Sequence, residues 1–184
     1  RWRFAERTDG KAGVTISDGT VSYSGPASLA HATVAQLLRQ TPGELPEGEV
    51  TEGFLFPVRG FHQDIGRGGV PIVATWKRML RWLFLCKYTH LGIYFEDLFP
   101  WEKYPALGAH RGRMSREELA EVVRYGAELG IEVFPSMNFA GHMENILAVK
   151  PFWKYSDWHW LREGVLDLSN PEARQFALDL LQEV

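Results

Sequence analysis

The stretch SREELAEVVRYGAELGIEVFPSMNF, residues 115–139, changes period once, and that change decides the fold. Ser115 followed by Glu118 is a capping-box signature, and Gly130 supplies the left-handed residue that closes a helix. The segment SREELAEVVRYGAELG therefore predicts a helix. Directly behind it, IEVFPSMNF has the apolar, β-branched and aromatic character of a strand. A helix running straight into a strand is half of a β/α repeat.

Two more units of the same kind flank it. Upstream, HLGIYFED (90–97) predicts a strand. Before that, the short run Phe54 to Val58 predicts another strand leading into RGFHQD, and Pro71 opens a helix with Ile72, Trp76, Met79, Leu80 and Leu83 on one face. Downstream, SNPEARQFALDLLQEV predicts a helix with Pro171 just after Asn170 and a stripe of Phe176, Leu180, Leu181 and Val184. Three successive strand and helix units imply a parallel sheet, because parallel neighbours need a crossover. A nucleotide-binding doubly wound sheet would carry G-x-G-x-x-G in its first turn, and RGFHQDIGRGGVP does not. The class is α/β, and the expected architecture is a partial (β/α)8 TIM barrel of three β/α units over residues 53–184, since a whole barrel takes ~250 residues.

Residues 1–52 read differently. VTISDGTVSYS (14–24) alternates on both sides of Asp18-Gly19, a favoured two-residue hairpin turn. ASLAHATVAQLLRQ places Leu29, Val34, Leu37 and Leu38 at helical spacing, and a connector rich in Pro, Gly and Glu runs from Thr41 to Glu52. That connector reads as a domain boundary.

Composition removes several function classes. A formal charge of −3 and scattered arginines give no basic field for nucleic acid. Cys86 is the one cysteine, so neither a disulfide framework nor a thiolate metal site can form within the chain. No apolar run approaches the ~18 residues of a membrane span. No basic-then-apolar leader is present, although the chain opens at Arg1 rather than Met. The compartment stays open, with the cytoplasm favoured because nothing requires an oxidising one.

In a barrel the chemistry gathers at the C-terminal strand ends. Those ends are expected at Arg59 to Asp64, at Glu96 and Asp97, and at Asn138 to Glu144. Arg59 offers a rigid donor fork suited to two adjacent hydroxyls, against a surface ion-pair reading. Strand alternation sends one of Glu96 and Asp97 inward and leaves the other to cap the loop or pair with an arginine. His142 either caps the short helical stretch MENILAV or orients a strand-two carboxylate. His142 with Glu144 makes too small a ligand set for a metal, so neither metal nor cofactor is expected. Trp76 belongs to the core stripe, while Trp101, Trp153, Trp158 and Trp160 lie in loops, either as sugar-stacking walls or as a small loop core.

RGFHQDIGR, YFEDLFPWEKYP, GIEVFPSMNFAGHMENIL and LDLSNPEARQFALDLLQEV, in that order, resemble the family 20 glycoside hydrolases, the β-N-acetylhexosaminidases. YFEDLFPW and GHMENIL look most like the hexosaminidase D branch. The resemblance covers roughly residues 29–184, and it makes the N-terminal hairpin and helix the tail of the small α/β domain that precedes the barrel. It implies removal of terminal β-linked N-acetylhexosamine by substrate-assisted retaining hydrolysis, with the sugar acetamido oxygen as nucleophile. By the same resemblance Arg59 holds sugar hydroxyls and His142 pairs with Asp97 to tune the general acid; Glu96, Glu144 and Trp101 are the further candidates for contact with substrate. The catalytic Asp-Glu pair would follow strand four, past Val184. The partners implied are a carbohydrate ending in N-acetylhexosamine and either the rest of a parent chain or self-association. A non-catalytic truncated barrel or sugar-binding module is the alternative.

Overall fold

The computed structural model describes residues 2–8, 12–51, 53–157 and 164–184. It contains two sheets, each with its own apolar cluster. The first sheet has the order β1-β3-β2-β4, from β1 (Arg3–Glu6), β2 (Gly13–Ser17), β3 (Thr20–Ser24) and β4 (Gly48–Thr51). β2 and β3 form the hairpin expected around Asp18-Gly19, and both turn residues have positive φ, as the tight turn requires. Helix α1 (Ala27–Gln40) lays Ala30 and Val34 on Val14, Ile16 and Val21. The connector read as irregular contains β4, whose Val50 pairs with Val14. A single apolar residue in GEVT left that strand without a readable period.

The second sheet is parallel, in the order β5-β6-β7: β5 (Gly60–Asp64), β6 (His90–Tyr94) and β7 (Glu132–Ser136). Helix α2 (Val73–Leu85) connects β5 to β6, and α3 (Arg116–Glu128) connects β6 to β7. Leu91 and Ile93 of β6 are fully buried, packed in one core with Trp76, Leu80 and Val122 from the helices. On the opposite face Gly92 lies between His62 and Phe134, where a Cβ would meet their rings at 2.7 and 2.9 Å. The molecule is thus an α/β fold with a three-stranded parallel sheet, and no closed barrel is present among the described residues.

The capping box of α3 forms in both directions: Glu118 N donates to Ser115 Oγ (3.2 Å) and Ser115 N donates to Glu118 Oε2 (2.9 Å). Gly130 closes the helix at φ 70°. After β7 come α4 (Glu144–Leu147), a 3-10 turn (Lys150–Tyr155) and α5 (Pro171–Glu183). Asn170 Oδ1 caps α5 by accepting from Glu172 N (2.9 Å). The α5 stripe is narrower than expected: Phe176 and Leu180 are buried, but Leu181 and Val184 are exposed. Ile72 likewise precedes α2 as its cap and is exposed.

The largest departure concerns the first parallel strand. Phe54 to Val58 is not a strand; Leu55, Phe56 and Val58 are exposed, and Pro57 removes a donor that a ladder would need. The strand is the more polar GFHQD, paired in register with β6 from Gly60↔His90 to Asp64↔Tyr94.

Candidate functional site

Because β5, β6 and β7 are parallel, their C-terminal ends at Asp64, Tyr94 and Ser136 lie along one edge. Past β5, the Asp64 carboxylate accepts from Gly66 N (2.8 Å), which turns the chain and launches Arg67 over that edge. Past β6, Glu96 takes φ 51° and ends the strand alternation. Both Glu96 and Asp97 are buried, each 1% exposed, and they diverge as expected, Glu96 toward the strand-end cluster and Asp97 toward an arginine.

The two carboxylates have different partners. Glu96 Oε1 accepts from Asn145 N at the start of α4 (2.9 Å), and Glu96 Oε2 lies 3.4 Å from Arg67 Nη1. Asp97 forms an ion pair with Arg111 Nη1, and the other arm of that guanidinium donates to the Gly66 carbonyl (2.8 Å). Asn145 Nδ2 donates to the same carbonyl (3.3 Å). Glu144 Oε2 approaches Arg67 Nη1 at 3.7 Å, and His142 Nδ1 is 3.8 Å from Glu144 Oε1. Arg67 therefore stands between two carboxylates contributed by different strand-end segments, with half of its side chain exposed.

Burial governs the electrostatics. It raises the Glu96 carboxyl above its ordinary value; the Asn145 hydrogen bonds and Arg67 oppose the rise, and Asp97 adds to it. Burial also raises Asp97, against the pull of Arg111. The Tyr94 hydroxyl is raised by burial and then by Glu96. Glu96 Oε2 and Glu144 Oε2 are buried and both face Arg67 Nη1, in an ion pair rather than a hydrogen bond. A half-exposed guanidinium held between two carboxylates offers its remaining donors to a ligand with several hydroxyl groups. Among the described residues no group of three or more metal-ligating side chains occurs.

The expected site residues do not all meet here. Glu96 and Glu144 do, with His142 at the rim, its side chain exposed and its φ at 53°. No hydrogen bond or ion pair joins His142 to Asp97 among the described residues; Arg111 occupies that role. Arg59 is at the wrong end. It precedes β5, and its guanidinium donates to the carbonyls of Lys87 (2.8 Å) and Phe56 (2.9 Å) while covering the Phe54 ring at 3.8 Å. The physical reason is the strand offset: a strand ending at Val58 would have put Arg59 at its C-terminal end, but the true strand begins at Gly60.

Trp101 is core rather than wall. It is 2% exposed, packs at a tilt against Phe99 with ring centres 4.9 Å apart, and donates Nε1–H to the Asp97 carbonyl (3.0 Å). Trp153 is partly exposed and bonds Ala148 O (2.8 Å), while Trp158 and Trp160 lie outside the described residues. Arg67, Arg111 and Asn145 escaped sequence reasoning. Arg67 was findable, as the arginine that follows the true end of strand one. Arg111, fourteen positions after Asp97 in an irregular loop, carries no periodic signal.

Residues 56–184 match the model of glycosyl hydrolase family 20, catalytic domain. A β-hexosaminidase from Akkermansia muciniphila is 28% identical over 141 residues, covering 65% of this chain and 28% of its own length. A β-hexosaminidase from Vibrio furnissii is 30% identical over 190 residues, covering 84% of this chain and 31% of its own. A family 20 exo-β-N-acetylglucosaminidase from Vibrio harveyi, solved in complex with N-acetylglucosamine, superposes with a TM-score of 0.76 at 18% identity, covering 98% of this chain and 35% of that one. The chain thus spans about a third of the length of these relatives.

Proposed function

Since the chain belongs to glycosyl hydrolase family 20, we propose that it forms the front of an exo-acting β-N-acetylhexosaminidase of the hexosaminidase D type. In this reading residues 53–184 are the first three β/α units of a (β/α)8 barrel, and residues 1–52 are the end of the small α/β domain before it. The reaction is substrate-assisted retaining hydrolysis of a terminal β-linked N-acetylhexosamine, with its Asp-Glu pair on a fourth strand beyond Val184.

The observation that carries the reading is the cluster of Arg67, Glu96 and Glu144 at the C-terminal strand ends, inside the stretch that matches the family. Arg67, in place of Arg59, donates to hydroxyls of the terminal sugar, and Glu96 and Glu144 hold its guanidinium in place for that contact. This holds the ring still while the acetamido oxygen attacks the anomeric carbon, which is where positioning lowers the barrier. Asp97 supports the site through Arg111 instead of touching substrate. His142, exposed at the rim, is free to meet the acid from the fourth strand.

The test is to read the coding sequence past Val184, express the complete reading frame and assay release of 4-nitrophenol from its N-acetyl-β-glucosaminide and β-galactosaminide. Turnover with first release of the β-anomer supports the proposal. A frame without a following Asp-Glu strand, together with N-acetylglucosamine binding but no turnover, would replace it with a sugar-binding module.

A further inference from the structure

The Gly66 carbonyl joins three strand-end segments. It accepts from Arg111 Nη2 (2.8 Å), which follows β6, and from Asn145 Nδ2 (3.3 Å), which follows β7, while Gly66 itself follows β5. A carbonyl oxygen has two lone pairs, so both are occupied. That oxygen belongs to the peptide unit between Gly66 and Arg67. The unit is planar, so fixing its oxygen fixes the direction in which the Arg67 backbone leaves.

The same two donors also hold the neighbouring carboxylates. Arg111 pairs with Asp97 through its other arm, and the backbone N–H of Asn145 donates to Glu96. Gly66 has no room to relax toward them, since a Cβ there would lie 2.9 Å from Glu96 Cβ and 3.1 Å from the Tyr94 ring. Arg111, one-third exposed, is not placed to meet a ligand through either arm, because both are engaged.

We propose that Arg111 and Asn145 are positioning residues that orient the Gly66–Arg67 peptide and so set the spacing between Arg67 and Glu96. The proposal rests on the functional reading above for its kinetic consequence, but its geometric consequence stands alone. A lysine at 111 can satisfy Asp97 or the Gly66 carbonyl, but it lacks the planar fork that reaches both at once. Removing one supporting group around a site commonly costs ~10–100-fold where that group orients the contacting side chain.

The test uses the protein expressed from the complete reading frame, with Arg111→Lys, Asn145→Ala and Arg67→Ala alone and in pairs. Asn145→Ala is the gentler variant, because it keeps the backbone N–H on Glu96 and leaves the Asp97 ion pair whole, losing only the side chain's bonds to the Gly66 carbonyl and to Glu96. In crystals of Arg111→Lys or Asn145→Ala the Gly66–Arg67 peptide should turn and the Arg67–Glu96 separation should exceed 4 Å, a direct readout that needs no turnover. In kinetics each single variant should lower kcat/KM by about 10-fold or more, and pairing either with Arg67→Ala should cost no more than Arg67→Ala alone. An unmoved peptide in both crystals, or fully additive losses, overturns the positioning role. An inactive wild type with a turned peptide in the variants would instead overturn the proposed enzyme function and leave the positioning role standing.

Discussion

Arg67 Nη1 stands 3.4 Å from Glu96 Oε2, and this pair joins the end of the first parallel strand to the end of the second. Arg59, at the other end of β5, makes all of its side-chain hydrogen bonds to backbone carbonyls. The two arginines should therefore fail in different ways. In the proposed reading Arg67→Ala, made in the protein from the complete reading frame, should lower kcat/KM by about 100-fold or more, with a loss of melting temperature at neutral pH because Glu96 stays buried without its cation. Arg59→Ala should destabilise by about 0.5–1.5 kcal/mol, because it removes the part-buried hydrogen bond to the Lys87 carbonyl and the cover over the Phe54 ring. Its folded fraction should keep kcat/KM within about threefold of wild type. Paired thermal melts and initial rates check both, and the reverse pattern would return the substrate role to Arg59.

Gly66→Ala should be strongly destabilising. The added methyl would press on Glu96 Cβ at 2.9 Å and on the Tyr94 ring at 3.1 Å, at a residue held by three hydrogen bonds, its N–H on Asp64 and its carbonyl under Arg111 and Asn145. Overpacking of this kind costs about 1–3 kcal/mol, measurable as a shift in denaturant midpoint with unchanged m.

Glu96 should oppose stability at neutral pH. Burial raises its folded-state pKa above the ordinary 4.5, so its protonated form is the favoured one in the fold. Its stabilising contribution is complete below pH 4.5 and is lost as pH rises through the raised folded value. Glu96→Gln removes that titration. The melting temperature of the variant, relative to wild type, should climb as the pH rises above 4.5 and be flat below it. A difference independent of pH would show that Glu96 is already matched by Arg67 and Asn145.

Asp179 should behave in the opposite sense. Lys103 Nζ (2.6 Å), the Tyr104 hydroxyl (2.5 Å) and Gln175 Nε2 (2.9 Å) all donate to it, and they hold its carboxyl down to about 2 against an ordinary 3.8. Its contribution is present above pH 3.8 and is lost as pH falls through about 2. Asp179→Asn should lower the melting temperature at pH 7, with the gap narrowing across that acid window. The loss would loosen α5 from the loop after β6, which Tyr104, Phe152 and Phe176 hold together by ring contacts of 4.7–5.4 Å.

The sequence by itself determined the elements whose signals are local. The Asp18-Gly19 hairpin, the Ser115 and Glu118 capping box, the Gly130 stop, the Asn170-Pro171 start and the parallel β/α order all depend on residues within a turn or two of each other. Glu96 and Glu144 were also legible as strand-end carboxylates, because acidic groups after an apolar strand stand out in one dimension. Tertiary structure decided the rest. Which of FLFPV and GFHQD became the first strand depended on pairing with β6, a partner about thirty residues away, and that choice exchanged Arg59 for Arg67. The partner of Asp97 was decided likewise, by an irregular loop folding back to place Arg111 where His142 had been expected. A bidentate contact between two loops leaves no period in the sequence, since its geometry exists only after the three strands have been brought into register.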